Sequence, residues 1–418
     1  MKRLLGVFML VFLLMMTFSA LAVENITLRF VVWDYDLSPE YKEAISAFES
    51  KNPNINVEVV DVASKDYGDK LTIMLSAGED LDVLAVKDMP GYSAFIGRNQ
   101  LEPLNTYMER DGFEPAVYSG LMDEIEVDGK YYGMPFRSDA WILYYNKEIF
   151  DQAGVDYPTN DMTWEEFRTK AKEITSGSAN KKTYGAYIHT WKSLAMNLGV
   201  QKAEGQYTLA DGEYDFLAPA YELYLKMQYE DKSVMTYGET VTSSAHYRTQ
   251  FEAGKTGMVY MGTWNIGALI SDAKKGKHDV KWGIVKSPHW SGQEPGITIA
   301  NVTPLAINAA SKNKEAAWKF IKFVGGEEGA IIFAKHGVLP ALKSDEVLNV
   351  YTNADGFPDN AKAALGTSVT FLEFPPDPNA QAIDKILQEE HELIMIQENS
   401  IAEGIEAMER RVADVINW

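Results

Sequence analysis

Residues 26–86 switch twice between a two-residue and a 3.6-residue hydrophobic period, and this constrains the fold more than any other feature of the chain. Ile26 to Trp33 reads as a strand and ends in Trp33-Asp34-Tyr35-Asp36. Ser38-Pro39 opens a helix, with proline in the first turn where no amide donor is lost. Ala44, Ile45 and Phe48 share one face of that helix, Glu40 to Lys51, and Asn52-Pro53 stops it. Ile55 to Val62 is a second strand, Lys65 to Ala77 a second helix, and Leu81 to Val86 a third strand. A βαβαβ order with apolar, parallel-type strands predicts an α/β fold on an open sheet. In such sheets ligands sit beyond the carboxyl ends of strands. That places Trp33, Asp34 and Asp36, Lys65, and Asp88 among the candidate contacts, each polar one with solvated loop charge as the alternative reading.

The stretch Tyr132 to Phe150 organises the middle of the chain. A Gly-Met-Pro turn leads to a polar link, Arg137-Ser138-Asp139, and then to an aromatic strand, Trp141 to Tyr145. Glu148 to Gly154 follows as a short helix closed by glycine. A polar link between two strands suits a chain passing from one lobe to another. A second crossing falls at Ile297 to Pro304, where Thr303-Pro304 begins a new strand, and Asn301 within it joins the candidate set.

The remaining pattern supports two cores. Asp128-Gly129 marks a hairpin turn, and Thr163 with Glu166 forms a capping box. Strands are expected at Tyr184 to Ile188, Gly257 to Met261 and Trp282 to Val285, with helices at Pro219 to Tyr229, Ala245 to Ala253 and Lys314 to Val324. The C-terminal stretch from Ala380 is helical by periodicity. Trp33, Trp141, Trp191 and Trp264 each lie beside a strand end or an interlobe link, which favours a shared site over four separate core roles. Trp164, Trp318 and Trp418 lie on or at the end of helices and are assigned to packing.

Composition narrows the function. The N-terminus has a basic start (Lys2, Arg3), an apolar run from Leu4 to Phe18, and the small-x-small triplet Ala20-Leu21-Ala22. This is the pattern of a cleaved secretory signal over residues 1–22, and the apolar run, at about 15 residues, is short for a membrane span. Cysteine is absent from the chain, which excludes disulfides, thiolate metal sites and attachment of a lipid at cysteine. A net charge of −21 and no basic run argue against nucleic acid as a partner. Three motifs fail on inspection. Gly254-Lys255-Thr256 has Thr249 where a phosphate loop needs glycine. His391-Glu392 has Met395 where a zinc helix needs its second histidine. Asp34, Asp36 and Glu40 lack the glycine and glutamate of an EF-hand. Neither cofactor nor metal is expected.

The opening VVWDYD…FESKNPNINVEVVDV…KLTIMLSAGEDLDVLAV, the crossover from Tyr132, the block INAASKNKEAAWKFIKFV and the turn Gly337-Val338-Leu339-Pro340-Ala341 resemble one family across the whole chain. It is that of the bacterial extracellular solute-binding proteins, the sugar-binding components of ABC importers, which includes maltose-binding protein. Leu81 stands where the family usually has proline. The resemblance implies a two-lobed α/β fold of type II, with discontinuous lobes at 23–136 with 303–345 and 140–299 with 350–418. It implies a monomer in the periplasm that closes over a mono-, di- or oligosaccharide and delivers it to a membrane permease. It places Asp139 at an acidic site position and Trp264, in Gly262-Thr263-Trp264, at a stacking position. His189, Thr190 and Trp191 stand where the family has an acid and a ring, and Phe371 or Phe374 where it has a late ring. Three alternatives stay open: a secreted glycoside hydrolase, although no carboxylate pair stands out; the same fold holding a polyamine or choline-like cation against its rings; and the same fold holding iron, for which Tyr144-Tyr145 is the sole cue. On this reading Asp139→Asn weakens binding and leaves stability nearly intact.

Overall fold

A computed structural model describes residues 25–118, 120–178, 181–366 and 369–416. The signal-like segment and Trp418 lie outside the described residues. Strands β1 (Ile26–Trp33) and β2 (Ile55–Val62) pair in parallel along their whole length, Ile26 beside Ile55 and Trp33 beside Val62. The short β3 (Val83–Ala85) lies parallel on the other side of β1. The helix Pro39–Lys51 buries Ala44, Ile45 and Phe48, and the helix Lys314–Gly325 comes onto the same face. Phe320 there packs edge-on to both Phe30 and Phe48, with ring centroids 5.3 and 5.1 Å away.

Two long strands join this wing to the other. The first, β4, runs without a break from Met134 to Asn146. The expected polar link is therefore a correction: Arg137, Ser138 and Asp139 are strand residues, paired with Thr303, Val302 and Asn301 of the long strand that lies antiparallel to β4. The ladder shifts register between Pro135 and Arg137 and then continues through Asp139, and polar side chains are tolerated there because they find partners of their own. Beyond Ala140, β4 changes neighbours. Trp141 to Tyr145 pair with β6 (Thr256–Gly262), and Ile142 to Asn146 with β7 (Trp282–Lys286), both antiparallel. β5 (Tyr184–Tyr187), which precedes β6 in the chain, runs parallel to it. The long partner of β4 is β8 (Ile297–Ile307), again one strand where sequence suggested a link and a new start. Its late end meets β3, and its early end meets β9 (Val369–Leu372). The order β2-β1-β3-β8-β4-β6-β5 thus places the two shared strands at the centre. A strand of β4's length spans roughly 40 Å at about 3.3 Å per residue, enough to serve both wings.

Local signals fall where the residues demand. Asp128 and Gly129 both take positive φ (52° and 75°) in the hairpin, as a two-residue turn of this hand needs. Thr163 and Glu166 cap the helix Trp164–Ile174 reciprocally. The C-terminal stretch is two helices, Ala380–Met395 and Ile401–Ile416. The first lies against the helix Met89–Gly97 of the β1 wing, where Arg98 Nη2 donates to Gln381 Oε1 (3.1 Å) and the Asp377 amide donates to Ser93 Oγ (3.1 Å). Trp164 and Trp318 are fully buried, their indole N–H groups bonded to Gln201 and Asp111.

Candidate functional site

One wall of the site is aromatic. β5 delivers Ile188, His189 and Trp191 at its end, and Trp191 is 40% exposed. β6 ends at Gly262, and a turn later Trp264 folds back over it. A Cβ at position 262 would sit 2.0 Å from the Trp264 ring, so only glycine permits this placement. Trp264 is half-buried, 6.4 Å from Trp191 and edge-on to Trp141 at 5.3 Å. Trp141 itself is buried and donates its indole N–H to Asn301 Oδ1 (3.2 Å). It supports the wall from behind. His189, His246 and Tyr247 complete the wall, with His189 4.5 Å from Trp191 and 5.4 Å from both of the others. Burial, then the neighbouring His246, lowers the His189 pKa to about 4.

The opposite wall is charged and internally compensated. Trp33, at the end of β1, is largely buried beneath Arg137 and Lys87, whose charged groups lie 5.2 and 5.7 Å from its ring centre. Lys87 Nζ donates to the Ser64 carbonyl (2.7 Å) and hydroxyl (2.8 Å). Asp34 takes a left-handed backbone (φ 51°), and its carboxylate accepts from the Ser64 amide at 2.9 Å. Asp88 caps the helix Met89–Gly97 through the Gly91 amide (2.7 Å). Two further sequence candidates sit differently. Asp36 is exposed and 3.7 Å from Lys42 of the adjoining helix, and Lys65 is exposed in the turn after β2.

The walls meet across the shared strands. Asp139 is buried; it accepts from Thr263 Oγ1 (3.1 Å) and lies 3.2 Å from Arg137 Nε. Burial raises its pKa, and Arg137 and Thr263 pull it back. Asn301, its cross-strand partner, donates to Glu373 Oε2 (2.8 Å), and Ser193 Oγ donates to the other Glu373 oxygen. Lys192, the neighbour of Trp191, holds Asp384 at 2.5 Å. Burial raises the pKa of Asp88 and the Gly91 amide opposes the rise, with Asp384 adding to it and Lys87 and Lys192 opposing it. Burial lowers the pKa of Lys343, and Asp139 draws it back. Asp88 and Lys343 both keep contact with solvent. Phe371, paired with Ile299, packs on Gly205, whose Cβ would meet its ring at 2.4 Å. Phe374 is buried.

Sequence reasoning did not select Arg137, Lys87, Lys192, Glu373, His246 or Tyr247. Two of these carried a usable signal. Arg137 is two residues from Asp139, hence on the same face of a strand, and Lys87 precedes Asp88 at a strand end. The others come from helices and loops whose approach to the site has no local mark.

The chain belongs to the bacterial extracellular solute-binding protein family, which it matches over residues 36–331. A sugar transporter of Rhizobium etli, solved in an open conformation, is 41% identical and covers 93% of this chain and 99% of its own, with a TM-score of 0.80. An ABC substrate-binding protein of Listeria monocytogenes in complex with cycloalternan has a TM-score of 0.84 at 22% identity, covering 94% of this chain and all of its own, and shares the two-lobed fold. A maltooligosaccharide ABC transporter solute-binding lipoprotein of Streptococcus pneumoniae is 25% identical over 270 residues, 62% of this chain and 59% of its own.

Proposed function

We infer that the protein is the sugar-binding component of an ABC importer, closing its two lobes over a mono-, di- or oligosaccharide and handing it to a membrane permease. The observation that carries this is the pairing of walls. Exposed Trp191 and half-buried Trp264, braced by buried Trp141, offer flat apolar faces to the C–H faces of a sugar ring. Facing them, Arg137 is paired with Asp139 and Lys87 is held by Ser64, so that wall offers oriented donors and acceptors. A sugar touching both walls binds the closed state better than the open one, and that difference drives closure.

The lobes divide near 136–140 and 299–303, where β4 and β8 change neighbours; the pairing of the early strands with one half of the shared pair supports this division. Within the site, Trp191 and Trp264 stack on the ligand, Trp33 closes the far end beneath Arg137, and Asp34, Asp88 and Asn301 take hydroxyls. Asp139 positions Arg137, and Trp141 and Phe371 act through their neighbours. Asp36 and Lys65 lie at the rim. The family is one of binding proteins, and this chain acts as one, without hydrolysing its ligand. It works as a monomer in the periplasm after loss of residues 1–22.

Thermal shift and calorimetry of the protein against maltose, maltotriose, D-tagatose, spermidine and ferric citrate test the reading. A concentration-dependent rise in melting temperature with a sugar is expected. A rise with spermidine or iron alone, or release of glucose from maltotriose, would sink it.

A further inference from the structure

The hydrogen-bond partners of the two histidines of the aromatic wall assign them opposite tautomers. The Tyr187 hydroxyl has one proton, and it donates it to the Ala245 carbonyl at 2.8 Å. His189 Nδ1 lies 3.1 Å from the same oxygen. With the phenol proton spent, Nδ1 must be the donor, so His189 carries its proton on Nδ1 and leaves Nε2 a bare acceptor. His246 is constrained the other way. It caps the helix Tyr247–Glu252, and its Nδ1 accepts from the Arg248 amide at 3.4 Å. Its proton therefore sits on Nε2. Both imidazoles are neutral, since burial lowers the pKa of each. Neither Nε2 has a hydrogen-bond partner, and neither is sealed from solvent, among the described residues. The rings are 5.4 Å apart at 74°, and His189 packs edge-on against Trp191, which is 40% exposed.

We propose that His189 and His246 form a matched acceptor–donor pair that reads two adjacent hydroxyls of the sugar stacked on Trp191: one hydroxyl donates to His189 Nε2, and its neighbour accepts from His246 Nε2–H. This rests on the sugar-binding reading and adds a specificity to it. Carboxylates in place of the histidines would accept at both positions. A donor–acceptor pair instead favours a diol in which each oxygen donates in one direction and accepts in the other. It also disfavours a sugar whose hydroxyl at either position is missing, because a desolvated imidazole nitrogen is then left unpaired.

The test is nitrogen NMR of protein labelled with ¹⁵N-histidine, with His189→Phe and His246→Phe used for assignment. The free protein should show Nδ1 protonated in His189 and Nε2 protonated in His246. Titration with whichever of maltose, maltotriose or D-tagatose raises the melting temperature should move both Nε2 resonances and leave those of buried His391 in place. Each Phe variant should weaken that sugar about tenfold, as expected for one hydrogen bond, and the double variant should lose less than the product of the two. Protonation of the same nitrogen in both rings overturns the pair, as does a sugar that raises the melting temperature without moving either Nε2. If no sugar raises the melting temperature, the sugar reading itself fails and takes the diol assignment with it.

Discussion

The two walls of the cleft solve the same problem with different materials. On one, Trp191, Trp264, His189 and Tyr247 form a surface of rings whose polar atoms are uncharged. On the other, Arg137 and Lys87 lie over a single ring, Trp33, while Asp34 and Asp88 are each tied to a backbone amide. Rings held by packing need no partner to stay in place, so they can be left partly exposed. Charged groups near a cleft would swing or attract ions unless paired, so they are useful only once locked. The ring wall should therefore carry affinity with little bearing on stability at its exposed edge. The charged wall should carry stability, because breaking one pair strands another charge.

The largest effect should come from the group that joins the walls. Asp139→Ala leaves Arg137 buried beside Glu40 and Tyr41 without its main partner. A loss of about 3–5 kcal/mol in urea unfolding is expected, as for a broken buried pair. Sequence alone suggested that Asp139→Asn would leave stability nearly intact; its burial on a shared strand reverses that expectation. A drop in affinity with unchanged stability would show Asp139 free to meet the ligand and dissolve the contrast between walls.

Next comes pH. His189 falls from the usual 6.5 to about 4, so the folded protein binds fewer protons than the unfolded chain between those values. Its contribution is complete above pH 6.5 and is lost as pH falls toward 4. From pH 7 to pH 5 the loss amounts to about 2 kcal/mol, because each pH unit below 6.5 removes about 1.4 kcal/mol. His189→Phe should flatten the melting temperature over that range. An unchanged slope would place the acid sensitivity elsewhere, with His391, whose pKa burial lowers to about 3, the first to check.

Trp264→Ala should cost about 1–3 kcal/mol of sugar affinity by calorimetry, in keeping with loss of a large apolar face, and a smaller share of stability because Trp141 loses its edge contact. The smallest stability effect belongs to Trp191→Ala. At 40% exposure its loss should change unfolding by less than loss of the half-buried Trp264 does while weakening sugar binding about tenfold. The difference between the two tryptophans sharpens the comparison, since equal stability losses would mean that Trp191 is core and the wall ends at Trp264.

Much of this was legible in the residues themselves. β1 and β2 have the bounds their periodicity marks, Ile26–Trp33 and Ile55–Val62. The capping box at Thr163 and the hairpin at Asp128-Gly129 form because a side chain or a backbone preference acts within four residues. The candidate rings were legible for the same reason, since strand ends can be read locally and site residues of open α/β folds collect there. The reading failed at Arg137-Ser138-Asp139, where three polar residues look like a link, and at Thr303-Pro304, where proline looks like a strand's start. A strand's identity there is set by its neighbour across the sheet, which local propensity does not contain.

What the sequence by itself determined is the alternation that yields an open α/β sheet, the cysteine-free acidic composition, and the strand-end tryptophans. These rest on interactions within one helix turn or one strand. Only the tertiary structure decided that β4 and β8 run unbroken through both wings, that Asp139 is buried against Arg137 and not open to the cleft, and that Trp141 braces Trp264 from behind. It also decided which nitrogen of His189 is free, because the Tyr187 proton goes to the carbonyl of Ala245, 58 residues away, and so leaves His189 Nδ1 to donate. Burial and hydrogen-bond pairing are properties of neighbours distant in sequence, and they exist only once the chain has closed around them.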